Sequence, residues 1–501
     1  MNLRDILVAT AQRVPDRTAL VLEERRVTYR EFDELSNRVA HVLLRAGLRR
    51  GGHVALLMSY RPEWLVGYFG IIKAGGKAIV LNSMLKLADY DNLLRDSDSA
   101  VLLTEHSFAE SLDGVLSSLP ALQRTLVWDG GEFQQMLADA PATMPGIALD
   151  AADECTIIYT SGVLGRQKGV IHTHESLIVA ARLVTSGHEQ TGNDVVVGLI
   201  PFFYLLGLAA VALVSVCEGS TVVLMPRFTT RGLLELVDRE RVTMLIGVPA
   251  MFNALAQEDG ETIAQYDVSS LRIATTAGAK SSPDLMAKLE EKYGLTACEI
   301  YGTTEAVGTT MSDCRSRKLG TIGRPIQEYR IIDGEGNDVR AGETGELVVR
   351  SPQLMKGYYN APDLTAQVLK DGWFYTGDLV CEDEEGYLQY VEKLSFLIVT
   401  SAGTKIPPTE VEDILLEHPA VAAAAFVGVD GPDGNQIPTL FVVPRAGVKL
   451  TKLELREYCS ANLADYKIPR HIEFIEALPT TGSGKIDRRA LKERRVMFAA
   501  R

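Results

Sequence analysis

The chain has 501 residues, of which 46% are apolar and 23% charged, with 51 Lys+Arg against 65 Asp+Glu for a formal net charge of −14. That length predicts more than one folding unit, and the composition excludes disordered, collagenous and coiled-coil classes. The acidic balance provides no global field that would attract DNA, RNA or an anionic membrane, so any anionic ligand must be held by local groups.

The opening MNLRDILVATAQRVPDR sets Arg4 and Asp5 where a signal peptide needs a basic segment followed by unbroken apolar residues. The longest apolar run, Leu208 to Cys217, is too short to span a bilayer. The chain therefore reads as cytoplasmic, with no membrane and no nucleic-acid partner. The six cysteines (155, 217, 298, 314, 381, 459) form no CxxC pair and read as plain thiols. The histidines form no HExxH, and His172 and His174, alternating at a strand end, read as structural rather than metal-binding.

In chain order, Phe32 to Arg45 has apolar residues at helical spacing, His53 to Met58 reads as a buried strand, and Glu63 to Lys73 as a helix. KAIVLNSM and AVLLTE continue the alternation, and VVVGLIP, TVVLMP, TMLIGVP and LRIATTAG repeat it further on. Short apolar strands separated by helices predict an α/β fold of doubly wound parallel sheets, with ligands gathering at the strands' carboxyl ends. Past Gly320, YRIIDGEGNDV and GELVVRSP predict hairpins of a small β region. From Thr409 the pattern is a helix (410–417), strands (421–429 and 439–443), a helix (452–463), a strand (471–475) and a final helix, which is a compact α+β unit. The expected division is a large domain over 1–392 and a small C-terminal domain over 393–501.

YTSGVLGRQKGV (159–170) follows an apolar strand and concentrates Thr160, Ser161, Gly162, Gly165, Lys168 and Gly169 in one turn. Glycines admit backbone N–H groups close to phosphate oxygens, hydroxyls add donors, and lysine adds charge. It is not a Walker A loop, because Gly169 follows the lysine where Ser or Thr would bind magnesium. Taken alone, the segment suits a ligand-free Gly-rich hairpin equally well.

YGTTEA (301–306), DGWFYTGDL (371–379) and PTTGSGKIDRRAL (479–491) follow in that order, with GTIGRP (320–325) and GELVVRSPQLMKGYYN (345–360) between them. Together these segments resemble the adenylate-forming superfamily of acyl-CoA synthetases, 4-coumarate:CoA ligases, firefly-type luciferases and peptide-synthetase adenylation domains. The resemblance covers nearly the whole chain. It implies ATP as cosubstrate, Mg2+, and a small C-terminal domain that is mobile.

Residue by residue, the resemblance implies that Thr160, Ser161, Gly162 and Lys168 form the loop over the β and γ phosphates. Thr304 would contact the α phosphate and Glu305 the magnesium ion, and Asp378 would accept hydrogen bonds from the ribose hydroxyls. Ala277, Gly278 and Tyr301 would border the adenine, and Lys485 would reach into the site during adenylation. Tyr204, Leu206, Thr276, Ala277, Gly302, Thr303 and Val307 would shape the acyl pocket, suiting a flat aromatic or cinnamate-like acid, while a medium acyl chain would also fit. A carboxylate is a weak nucleophile facing an anionic phosphorus, so the reaction depends on positioning and on charge-absorbing donors. The plainer readings are a solvated surface lysine for Lys485, a turn-capping carboxylate for Asp378, and an early-helix acid for Glu305.

The sequence departs from the family at three places. Val163 and Leu164 replace two hydroxyl residues of the loop, and Gln167 replaces a proline. Tyr204 stands where 4-coumarate:CoA ligases have histidine; it can donate one hydrogen bond but carries no positive charge. At the junction YVEKLSFLIVTSAGTKIPPTEVE (390–412), Lys393 replaces the ribose-holding arginine, Ser395 the hinge residue, Phe396 an acid and Ala402 the first glycine of a pair.

The leading expectation is an ATP-dependent ligase that makes an acyl adenylate and passes the acyl group to CoA. A second is a relative that adenylates nitrite or an acid and transfers it to an amine, nitrite with an aromatic amine giving a diazonium product. A third is a non-catalytic binding protein, against which the retention of Glu305, Asp378 and Lys485 argues. A homodimer is a candidate assembly.

Overall fold

The computed structural model describes residues 1–160, 167–399, 405–430, 436–481 and 485–499. These form two compact units, one of residues 1–329 and 349–374, the other of residues 330–348 and 375–501. The boundary expected between 392 and 393 falls inside the second unit. The strand Leu388–Lys393 is tied there to the helix Pro408–Leu416: the Thr409 hydroxyl donates to the Val391 carbonyl at 2.6 Å, and its N–H to Glu392 Oε2 at 3.1 Å.

The first unit carries the α/β pattern in two sheets. One sheet has seven strands, including His53–Leu57, Lys77–Val80, Val101–Thr104, Glu154–Thr160 and Lys168–Thr173. The other has nine and includes Val195–Gly198, Thr221–Leu224, Met244–Gly247, Ile273–Ala277 and Thr296–Tyr301. Neighbours within the centre of each sheet run parallel. Antiparallel pairs occupy the margins: Glu154–Thr160 turns back onto Lys168–Thr173, and Thr296–Tyr301 onto Thr310–Met311. Burial on both faces explains the unbroken apolar runs of the central strands.

Helices follow from local signals as well as from packing. Thr28 caps Tyr29–Arg45 in a capping box with Glu31, and Arg45 meets the carboxyl end of the macrodipole. The next helix, Pro62–Lys73, is buried on every side. Its Gly70 is required by close approach, because a Cβ there would lie 2.4 Å from Val39 Cγ1. The apolar run 208–217 is part of the core: Gly207–Leu213 is a π-helix continuing into the helix Val214–Glu218. Among the described residues no helix is long and apolar enough to cross a membrane.

The second unit contains the strand Trp373–Glu382 from residue 375 onward, its hairpin partner Leu388–Lys393, then the α+β segment. In that segment Val421–Asp430 pairs antiparallel with Gln436–Pro444, which pairs parallel with His471–Phe474. The helices Pro408–Leu416 and Lys452–Asn462 contribute Val411, Leu415, Leu455 and Cys459 to its core.

Candidate active site

In the first unit the expected phosphate loop joins the antiparallel strands Glu154–Thr160 and Lys168–Thr173, with Thr160 opposite Lys168. Ser161 and Gly162, with Val163 and Leu164, lie outside the described residues. Lys168 projects over the Tyr358 ring, its Nζ 4.9 Å from the centroid. The Tyr358 hydroxyl in turn donates to Glu305 Oε1 at 2.7 Å. Burial and the Glu305 charge push the Tyr358 hydroxyl well above its usual pKa, so it stays protonated and remains a donor.

Glu305 lies on the irregular connection between the strands Thr296–Tyr301 and Thr310–Met311, not in a helix, which removes the early-helix reading of this acid. Two hydrogen bonds to its backbone carbonyls hold that connection. The Met355 N–H donates to the Glu305 carbonyl at 2.8 Å, and His172 Nε2 lies 2.8 Å from the Thr304 carbonyl oxygen. A carbonyl only accepts, so Nε2 carries the proton and Nδ1, 3.2 Å from Ser176 Oγ, is the acceptor. Burial lowers the His172 pKa to about 4, which keeps the ring neutral in this tautomer.

Gly302 is fixed by space. A Cβ there would sit 2.7 Å from both the Ala306 carbonyl oxygen and the Gly308 nitrogen. Thr303 and Ala306 exchange backbone hydrogen bonds at 3.1 and 3.2 Å, and Val307 is buried beside them. The Thr303 hydroxyl is buried and has no hydrogen-bond partner among the described residues.

Tyr301 ends its strand and is half-buried. On the neighbouring strand Ile273–Ala277, Thr276 is fully buried and accepts from the Ser281 hydroxyl at 2.7 Å, Ala277 is buried, and Gly278 turns outward at φ 82°. Tyr204 and Leu206 lead into the π-helix, and Asn82 Nδ2 donates to the Tyr204 hydroxyl at 3.4 Å. Burial raises the Tyr204 pKa, so it acts as a neutral group.

In the second unit Asp378 and Lys393 face each other across the hairpin, with Nζ 3.1 Å from Oδ1. Asp378 is buried, and its backbone N–H donates to the Thr376 hydroxyl at 3.1 Å. Lys485 is exposed, and its carbonyl accepts from the Thr481 N–H at 2.7 Å. Ala402 and Gly403 lie outside the described residues.

The structure therefore gathers Lys168, Glu305 and Thr304 through Tyr358 and His172 in one unit, and Asp378 with Lys393 in the other. Sequence reasoning did not assign Tyr358 or His172 to the site. For Tyr358 the available signal was its place in the GYYN end of a matching segment; for His172 there was none.

The profile of the family described as AMP-binding enzyme matches residues 7–359, and that of the AMP-binding enzyme C-terminal domain matches residues 410–485. The chain belongs to the AMP-binding enzyme family. It is an AMP-forming ligase of the acyl-CoA synthetase type, in the adenylate-forming superfamily that its motifs resemble. A feruloyl-CoA synthase of Amycolatopsis sp is 35% identical over 484 residues, covering 96% of each chain. The crystal structure of the anthranilate CoA ligase AuaEII in complex with anthranoyl-AMP superposes with a TM-score of 0.90 at 28% identity, covering 100% of this chain and 98% of the other. ATP-bound MatB from Rhodopseudomonas palustris superposes with a TM-score of 0.91 at 26% identity, covering 99% of each.

Glu305 is a candidate protein ligand for magnesium. No cluster of three or more His, Cys, Asp or Glu side chains suited to a metal occurs among the described residues. A single carboxylate completed by substrate phosphate oxygens is an ordinary Mg2+ environment, and Glu305 fits that role.

Proposed function

We propose that this ligase activates a carboxylic acid as its acyl adenylate, releases pyrophosphate and transfers the acyl group to CoA, with aromatic or cinnamate-like acids as preferred substrates. The observation that carries the reading is the Lys168–Tyr358–Glu305 cluster, with Thr304 fixed beside it by His172. Lys168 supplies charge to the outer phosphates, and Thr304 presents its hydroxyl to the α phosphate. Glu305, oriented by the Tyr358 hydroxyl, would hold Mg2+, which neutralises charge on the leaving pyrophosphate. Asp378 accepts from the ribose hydroxyls, with Lys393 fastening its carboxylate. Ala277, Gly278 and Tyr301 border the adenine. Lys485, from the C-terminal α+β segment, would meet the incoming carboxylate oxygen and the α phosphate.

Support for an aromatic acid comes from two relatives, a feruloyl-CoA synthase and an anthranilate CoA ligase, and from the pocket set Tyr204, Leu206, Thr276, Gly302, Thr303 and Val307. Shape discrimination among apolar groups is modest, so a panel of acids is needed. The test is acid-dependent ATP–pyrophosphate exchange with hydroxycinnamates, aminobenzoates and medium-chain fatty acids, followed by mass identification of products with CoA. Exchange and a CoA thioester with aromatic acids support the reading. No exchange with any acid, or production of ADP, overturns it, and an amide or diazonium product from added amine or nitrite reassigns the acceptor.

A further inference from the structure

Of the six cysteines, two are neighbours in space. Cys298, on the strand Thr296–Tyr301 and fully buried, has its Sγ 2.8 Å from Sγ of the half-buried Cys314, which follows the strand Thr310–Met311. The two residues are 16 positions apart, and the segment between them carries Tyr301, Gly302, Thr303, Thr304 and Glu305. The pairing of these strands, with Ile300 opposite Met311 and the Ser312 N–H donating to the Glu299 carbonyl at 2.8 Å, holds the backbones in register next to the thiols. A disulfide has an S–S length of about 2.05 Å, so a small side-chain movement closes the remaining gap.

We propose that Cys298 and Cys314 are a modification site: a thiol pair that takes a peroxide-class oxidant and closes to an intramolecular disulfide across the ends of the Tyr301–Glu305 segment. Exposure selects Cys314 as the thiol attacked first, since Cys298 has no solvent access. The S–H bond from Cys298, aided by the Arg272 charge, pulls the Cys314 thiol below its ordinary pKa, while Cys298 is held up by its bond to Cys314 and by burial. The Cys314 thiolate attacks one peroxide oxygen, breaking the O–O bond to give a sulfenic acid and hydroxide. Cys298 sulfur then attacks the sulfenic sulfur, the S–O bond breaks, and hydroxide leaves with the proton from Cys298 as water. Two thiols lose two electrons, and one hydrogen peroxide is reduced to two waters.

Because the thiols already adjoin in the reduced arrangement, the bond leaves the loop in place and stops Cys314 from advancing to sulfinic acid. The test exposes the full chain to hydrogen peroxide, counts free thiols in denaturant and maps tryptic peptides by mass. Support consists of the loss of two thiols, a single tryptic peptide 293–315 that holds both cysteines and is two hydrogens lighter than its reduced form, full reversal by dithiothreitol, and a raised thermal midpoint. In Cys298→Ser the same dose should drive Cys314 to sulfinic acid, irreversibly. Sulfinic Cys314 without a cross-link in the wild-type chain, cross-links to other cysteines, or six unreacted thiols each overturn the proposal. The wild-type mass readout decides it even if the variant does not fold, and it is independent of whether acid-dependent exchange is found.

Discussion

Replacing His172 by leucine tests whether the site depends on a residue that touches neither nucleotide nor acid in the assigned roles. Leucine fills similar space but removes the donor to the Thr304 carbonyl, 2.8 Å away in the native chain. The other partner is not orphaned: Ser176 Oγ still accepts from the Thr173 N–H at 3.0 Å, and its one proton turns from Nδ1 to the Thr173 carbonyl at 3.1 Å. The perturbation thus falls on Thr304 and Glu305. A partly buried carbonyl left without a donor costs about 1–3 kcal/mol, and the loop avoids that cost by turning the carbonyl toward water. If the whole cost appears as lost population of the native loop, the active fraction falls by about 5- to 150-fold at about 1.4 kcal/mol per decade. Steady-state exchange assays should show this fall in kcat, with KM for the acid within about twofold, because the pocket residues are untouched. Hydrogen exchange should quicken in the peptide covering 302–309, and His172→Gln, which restores an N–H donor, should recover much of the loss. A folded His172→Leu protein with kcat within twofold of the parent and unchanged exchange at 302–309 would refute the reasoning.

Tyr358→Phe removes the 2.7 Å donor to Glu305; hydrogen bonds to charged groups contribute about 1.5–3 kcal/mol, so KM for Mg2+ should rise at least tenfold while the fold persists, and an unchanged Mg2+ titration would count against the Glu305 role. Gly302→Ala forces a Cβ to within 2.7 Å of two backbone atoms, an overpacking cost of about 1–3 kcal/mol, and kcat/KM should drop 5- to 150-fold in the exchange assay. Lys485→Ala should slow adenylation by about 10²–10³ with little change in thermal midpoint, since the side chain is exposed; equal rates would remove it from the reaction. Acid should destabilise the first unit, because burial holds His172, His174 and His188 at about 4, below their ordinary value of 6.5. The unfolded chain then binds more protons between those values, so stability falls as pH drops from 6.5 toward 4, by up to about 3 kcal/mol per ring, and urea unfolding at pH 7 and pH 5 measures it. Proton uptake below one per molecule on unfolding at pH 5.5 would contradict this.

What the sequence revealed is what short-range chemistry encodes. The helix expected over Lys452 to Leu463 is present as Lys452–Asn462 because Thr451 and Glu454 form its capping box, a signal confined to four neighbouring residues. Strands such as Met244–Gly247 are legible because burial on both faces makes every position apolar. The π-helix Gly207–Leu213 was not, since its apolar run has the composition of any buried segment and no period to read. The same limit separates the two kinds of site residue. Thr304, Glu305, Asp378 and Lys485 sit in short ordered motifs, so a resemblance reaches them. The bonds that set their geometry span 132 positions from His172 to Thr304 and 53 from Glu305 to Tyr358, and no local spacing records them. Asp378 and Lys393 lie between these cases, 15 positions apart and brought face to face by one hairpin. Lysine in place of the family's arginine there keeps the charge but gives up the planar fork, so it meets the Asp378 carboxylate as a point charge, Nζ 3.1 Å from Oδ1.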